Sequence, residues 1–290
     1  MKANPLFLAQ PKEFWAYVRT IGQEVGYTKR GNKRKGISSS IRIPTLQEVS
    51  QKFKNLSLRM EGIAGKDGTL TDFGKLLFDY FAFRADVLND TVQGHLMNKD
   101  AAEVEFNRLK SKLKPNCPLP MNKQKGEKKN NAFLTGMVNM LVEANIGSAP
   151  CNYNPLSLTT VTHDDMPLRT LSRRVDGAFP AVVNPIAIWE VKEYYYTTTF
   201  GSRVADGVYE TLLDGMELEE LKTTEQQKVR HVLFIDDHFT WWVKGRSYLC
   251  RMIDMLHMGY VDEVIFGREV LTRLPDLARE WKAVYDALEN

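Results

Sequence analysis

An α/β fold, with a mixed sheet flanked by helices and a mainly helical region before it, is the architecture this sequence predicts. Two features carry the expectation. From about residue 130, amphipathic helical patterns alternate with short apolar runs at 186–192, 230–236 and 261–266, the texture of a layered helix–sheet domain. Before that point apolar residues recur mainly at helical spacing, so residues 1–129 are read as the helical region and 130–290 as the sheet-bearing core.

At 290 residues and 43% hydrophobic content, the chain has the makeup of a globular protein able to bury a sizeable core. No apolar run reaches membrane-spanning length, and the opening MKANPLFLAQPKEFW lacks the continuous apolar stretch of a secretory signal. A cytoplasmic protein with no membrane partner is expected. Cys117, Cys151 and Cys250 are odd in number and widely spaced, which suggests neither a disulfide framework nor a zinc site. A net charge of +3 permits a nucleic-acid partner without requiring one, so the placement of charge matters more.

In order, Pro11 opens an amphipathic run to about Val25, and residues 50–60 carry another. Thr71 is placed to cap a helix through GKLLFDYFAFRADVL, whose Phe73, Leu76, Leu77, Tyr80 and Phe81 recur at helical spacing. That aromatic stripe reads as core rather than as a platform for bases. Residues 100–113 form a further helix stopped by Pro115 and Pro118. Between the first two helices lies YTKRGNKRKGISSS, where Lys29, Arg30, Lys33, Arg34 and Lys35 gather among glycines and serines without an acid. A mobile basic loop of this kind contacts phosphates and releases counterions, which makes these residues candidate DNA contacts. A merely solvated basic loop is the alternative. MNKQKGEKKNN at 121–131 is also basic and reads as a linker.

The chemistry concentrates at 173–192, RRVDGAFPAVVNPIAIWEVK. Val175 to Phe179 alternates as a strand, and Ile186 onward is an apolar strand ending in Glu190 and Lys192, which share a face. Pro180, Asn184 and Pro185 turn the chain between them. Paired antiparallel, the halves bring Asp176 and Glu190 to one end of the sheet with Lys192 beside them. Neighbouring carboxylates repel and raise each other's pKa unless a hard divalent cation such as Mg2+ takes up their oxygens. Lys192 would then orient or help deprotonate an attacking water, or stabilise charge growing on phosphate oxygens. The trio suggests metal-dependent hydrolysis of a phosphodiester.

Asp176 in its Asp-Gly pair, followed by an apolar strand running into Glu190-Val191-Lys192, resembles the motif of the PD-(D/E)xK nuclease superfamily, to which most type II restriction endonucleases belong. The resemblance covers about residues 130–267 and departs at Val175, which stands where the pattern has proline. It implies a restriction-endonuclease-like sheet, Asp176 and Glu190 as Mg2+ ligands, the Val191 carbonyl as a further one, and Lys192 serving the water and the transition state. On the helix expected at 131–145, Glu143 is the acidic residue that such enzymes often add to the metal site. The implied function is a type II restriction endonuclease cutting double-stranded DNA at a short sequence. A homodimer follows, because a palindromic site matches a two-fold axis. A structure-specific repair or recombination nuclease of the same fold is one alternative. A non-catalytic DNA-binding protein, in which Glu190 and Lys192 merely pair, is the other.

Around this motif, strand alternation puts Arg174 on the face of Asp176, within reach of a phosphate, and turns Arg173 away. Ser202 is expected to cap a short helix whose Arg203 contacts the DNA backbone. A second run, Asp214-Gly215 with Glu220-Leu221-Lys222, lies in a polar segment without an apolar strand and reads as a helix end or solvated loop. His163-Asp164-Asp165 reads as a polar turn. Tyr194, Tyr195 and Tyr196 are expected to cover a sheet face rather than stack on bases. Asp236-Asp237-His238, at a strand end, is the rival metal site. A helix at 246–257, a strand at 261–266 and a closing helix at 274–288, with Pro275 in its first turn, complete the chain.

Overall fold

The structure, a computed structural model, describes residues 1–31, 36, 38–124, 127–196 and 201–289. Asn4 caps α1 (Pro5–Leu8), and Pro11 precedes α2 (Lys12–Val25). The ends of the basic segment are not loop but a two-stranded antiparallel ribbon, β1 (Thr28–Lys29) and β2 (Ser40–Ile41). α3 is Leu46–Asn55 rather than 50–60. Thr45 and Glu48 form a reciprocal capping box that starts it early, and the chain leaves helical space at Ser57, φ 57°. α4 (Asp72–Asp86) begins at Thr71, whose side chain accepts from the Gly74 N–H. It runs on through a π-helical stretch, Val87–Val92, into α5 (Gln93–His95), and α6 (Lys99–Leu113) follows. Phe14, Trp15, Leu77, Tyr80 and Phe81 are buried in one cluster, so the aromatic stripe is core.

β3 (Met121–Gln124) and β4 (Glu127–Asn131) form an antiparallel hairpin where the sequence read a linker. α7 (Phe133–Ile146) leads to a second hairpin, β5 (Thr160–His163) and β6 (Met166–Thr170), turned by Asp164 and Asp165 at positive φ. That is the polar turn expected there. β7 (Gly177–Phe179) and β8 (Ala187–Glu193) are the expected antiparallel pair. α8 (Ser202–Glu225) is one long helix that absorbs both the short helix foreseen at its start and the polar segment around Asp214. β9 (Arg230–Asp236), a π-helical His238–Lys244, α9 (Arg246–His257), β10 (Glu263–Phe266) and α10 (Val270–Glu289) complete the order. Pro275 lies inside α10, not in its first turn; burial of Leu274, Leu277, Ala278 and Trp281 offsets the backbone hydrogen bond it forgoes.

β7 to β10 form a mixed sheet in the order β10-β9-β8-β7, with β8, β9 and β10 parallel and β7 antiparallel. Parallel neighbours need crossovers, and α8 and α9 supply them. Alternation along β8 sends Ala187 and Trp189 into the core shared with α7 and α10, where Trp189 stacks on Trp281 at 5.6 Å. Ile188, Glu190 and Lys192 take the other face, toward α8. α6, grouped by sequence with the helical region, packs into the α7 side of the core through Ala102, Phe106 and Leu109. Arg84 of α4 and Asp254 of α9 form a buried ion pair at 2.8 Å, and the Tyr80 hydroxyl also donates to Asp254, at 2.6 Å. This contact joins the helical part to the sheet-bearing part. Among the described residues, no helix is long and apolar enough to cross a membrane.

Removing one member of that pair strands a buried charge, so Asp254→Ala is expected to cost about 3–5 kcal/mol in urea unfolding. Gly177 faces Trp189 across the ladder with no room for a side chain, since a Cβ there would lie 2.0 Å from the indole. Gly177→Ala should lower stability by about 1–3 kcal/mol. An unshifted urea midpoint would show that the indole yields freely.

Candidate functional site

The site forms where β8 outruns β7. Trp189 and Val191 turn their peptide groups toward β7: the Asp176 N–H donates to the Trp189 carbonyl at 3.1 Å, and the Val191 N–H donates to Asp176 Oδ2 at 2.8 Å. Since β7 begins only at Gly177, the ladder stops there, and strand alternation leaves the Val191 carbonyl facing the same edge beyond it. Asp176 keeps an accessible face.

Glu190 is wholly buried, and its carboxylate is clasped by two cations. Lys192 Nζ donates to Oε2 at 2.8 Å, and Arg173 Nη2 donates to the same oxygen at 3.1 Å. Oε1 lies 2.9 Å from Arg173 Nη1 but receives no aligned hydrogen bond. α8 closes the site from above. Glu210 Oε2 accepts from Lys192 Nζ at 2.7 Å, and buried Asp214 accepts from Arg173 Nη1 at 2.7 Å through Oδ2, leaving Oδ1 unpartnered. Gly207, one turn earlier, lets the helix come down close to Tyr194 and the lysine, since a Cβ there would stand 3.1 Å from the Tyr194 hydroxyl and 3.4 Å from Lys192 Cδ.

The electrostatics follow from this crowding. Four carboxylates (Asp176, Glu190, Glu210, Asp214) face two cations (Arg173, Lys192). Burial works to raise the Glu190 pKa, but Lys192 and Arg173 outweigh it and hold the carboxyl below its ordinary value. Loss of solvent and the Glu190 charge push Asp176 up to about 6. Burial, with Glu190 adding to it, pushes Asp214 up to about 7 against the pull of Arg173. Burial opposes the charge of Lys192, yet Glu190 and Asp176 more than compensate and raise its pKa, so the side chain is an ammonium donor at neutral pH.

Asp176, Glu190, Lys192 and the Val191 peptide therefore converge, as the motif implies. Glu143 does not join them: it lies toward the far end of α7, where both its oxygens accept from the Asn116 N–H at 3.1 and 3.2 Å. It is the N-terminus of α7 that meets the end of β8, with the Leu134 and Thr135 N–H groups donating to Glu193. The two arginines exchange roles. Residues 171–176 bend instead of continuing as a strand, so Arg173 turns into the site and Arg174 is exposed, without a partner among the described residues. Arg203 is exposed in the first turn of α8, whose N-cap position belongs to Gly201. Lys29 and Arg30 are exposed on the β1–β2 ribbon, whereas Lys33, Arg34 and Lys35 lie outside the described residues.

The rival site at Asp236-Asp237-His238 is structural. Asp236 Oδ1 accepts from the Met97 and Asp237 N–H groups and Oδ2 from the Tyr195 hydroxyl, while Asp237 caps the π-helical stretch. The tyrosines pack against the cores on the two faces of the sheet, as expected, and two of them are struts as well: Tyr194 donates to the Arg203 carbonyl and Tyr196 to that of Asn131. Reading the residues alone missed Glu210 and Asp214. The available signal was helical: Gly207, Thr211, Asp214 and Leu218 recur at the spacing of a buried face, where polar members call for a partner.

Residues 97–281 match the family described as Domain of unknown function (DUF7687), and residues 1–91 match Domain of unknown function (DUF7690). The first match spans more than half of the chain, and the chain belongs to that family. No curated protein and no solved structure matches it.

The Asp214 carboxyl binds its proton more tightly folded (about 7) than at its ordinary value of 3.8. Its contribution to stability is therefore present at low pH and is lost as pH rises through about 7. Between pH 5 and 8, the wild type should lose roughly 1–3 kcal/mol more unfolding free energy than Asp214→Asn. Parallel pH profiles of the two proteins would count against this assignment.

Proposed function

We propose that the chain is a metal-dependent nuclease with a restriction-endonuclease-like core, hydrolysing phosphodiester bonds in double-stranded DNA in the manner of a type II restriction endonuclease. The observation that supports it most is the carboxylate excess around Lys192 at the open end of β8, with Asp176 directly before one strand of the hairpin and Glu190 on the other.

This donor set fits Mg2+. Carboxylate oxygens and a carbonyl are its preferred ligands, and one or two carboxylates suffice because the ion retains several waters. Among the described residues no group of three or more His, Cys, Asp and Glu side chains is placed to hold a metal by itself. Asp176, Glu190 and the Val191 carbonyl would hold the ion, with Glu190 Oε1, which faces Arg173 Nη1 at 2.9 Å but accepts no aligned hydrogen bond among the described residues, as the oxygen nearest to free. Bound there, Mg2+ would supply positive charge against the phosphate oxygens and ease the loss of a proton from water.

The chain's own groups do the rest. Lys192, an ammonium, orients the attacking water and balances charge on the phosphate instead of removing a proton. Glu210 and Glu190 hold it from two sides. Arg173 fixes Glu190, and Asp214 fixes Arg173. Arg174 and Arg203, both exposed, are phosphate contacts in this reading, with Lys29 and Arg30 on the ribbon. A two-fold homodimer belongs to the proposal, because two such sites cut both strands of a palindrome. A sedimentation run on DNA that finds only monomer removes that part.

The complete enclosure of Glu190 by Lys192 and Arg173 also favours a second reading, a DNA-binding protein in which the cluster is a structural ion-pair network. Incubating purified protein with phage DNA, with Mg2+ or with chelator, separates the two. Sharp metal-dependent bands are expected; intact DNA in both lanes favours the second reading. Lys192→Ala should keep DNA binding and lose cutting by about 10²-fold or more, with a melting curve as the check on folding.

A further inference from the structure

Two π-helical stretches, Val87–Val92 and His238–Lys244, come together beside the β1–β2 ribbon. Gln93, directly after the first, accepts from Trp242 Nε1 in the second at 3.2 Å in its hydrogen-bonded amide orientation. π-helical turns are uncommon and recur at functional positions. The groove at this junction measures ≈ 570 Å³, and Ser38, Ser39, Gln93, His238, Trp242 and Arg246 line it. That volume falls within the ~300–1,000 Å³ of ligand clefts.

Arg246 is the member that calls for a partner. Its guanidinium lies 4.6 Å over the Trp242 ring, and its buried Nε has no hydrogen-bond partner among the described residues. Nη1 donates to the Val243 carbonyl at a long 3.5 Å. No carboxylate among the described residues pairs with it, and burial pulls its pKa down. A half-buried cation left without an anion carries a desolvation cost that an external anion would relieve. The surroundings are basic as well: Lys244 lies over the exposed Phe239 ring at 5.6 Å, and Gly31, next to exposed Arg30, borders the same groove.

The groove is also wired to the candidate site. Trp241, in the same π-helical stretch, donates its Nε1–H to the Lys192 carbonyl at 3.2 Å, and its ring lies 5.7 Å from Tyr194. Whatever seats against Trp242 and Arg246 is therefore one residue removed from the strand that carries Lys192.

We infer that this groove holds the sugar-phosphate backbone of DNA close to the bond being cut, with Arg246 as its anion contact. The inference rests on the nuclease reading, for which it places the substrate.

Fluorescence anisotropy of a labelled DNA duplex in EDTA, where no cutting occurs, tests it. Arg246→Ala should weaken binding roughly tenfold and shallow the salt dependence by about one counterion. Val243→Glu, at a groove position already 44% exposed and so free of folding demands, should weaken it as well. If both groove variants bind as tightly as a wild type that cuts DNA with Mg2+, the groove assignment is wrong and the nuclease reading stands. If binding depends on the groove but Mg2+ never produces cutting, the nuclease reading falls and the groove remains a DNA contact. A wild type that does not bind the duplex overturns the inference.

Discussion

A fully buried carboxylate must be met by positive charge, and Glu190 is met by two. Its place in the middle of the sheet, on the strand between β7 and β9, removes water from the carboxylate. Lys192 and Arg173 replace that water with charge-assisted hydrogen bonds. Each cation in turn needs more acid than Glu190 offers, which draws in Glu210 and Asp214 from α8. The long helix, the bend at 171–176 and the open end of β8 are all arranged around that chain of compensation.

The scaffold keeps the cluster in register by packing on the opposite face. Trp189 fills the space that Gly177 leaves and stacks on Trp281, so β7 and β8 slide past one another only by breaking an aromatic stack. Since Asp176 immediately precedes Gly177, the same packing places Asp176 opposite the Val191 N–H. The glycine of the Asp-Gly pair thus has a mechanical reason beyond the turn it suggests in sequence. On the other side of the molecule, Arg84 and Asp254 hold the helical part against α9 by the same rule that governs Glu190, with cation and carboxylate buried together.

Much of this was legible in the residues. The hairpin and the shared face of Glu190 and Lys192 depend on two-residue alternation, which is local and strong. The strand at 230–236 and the helix at 246–257 followed from apolar runs bounded by clear breaks. Arg173 and Arg174 exchange the places that alternation gives them because the segment bends, and one bend inverts the parity of every residue before it. Glu143 fits the site by the kind of helix it sits on, but α7 presents its N-terminus, not its last turns, to the end of β8. Asp214 is hidden in sequence because its surroundings are polar. Only the continuity of α8 over 24 residues turns that polar segment into a buried helical face above the sheet.

By itself, the sequence determined what short-range sterics and hydrophobic period dictate: the mixed α/β character, the antiparallel hairpin, the aromatic core of the N-terminal helices, and the convergence of Asp176, Glu190 and Lys192. Tertiary structure alone decided which distant groups complete the cluster. Arg173, Glu210 and Asp214 meet because a helix crosses back over the sheet; the period of α8 marks its buried face, but neither segment carries a trace of which partner that face meets. The groove at Arg246 belongs to the same class. It arises where two π-helical stretches far apart in the chain come together, and an arginine without a counter-ion stands out only once its neighbours are in place.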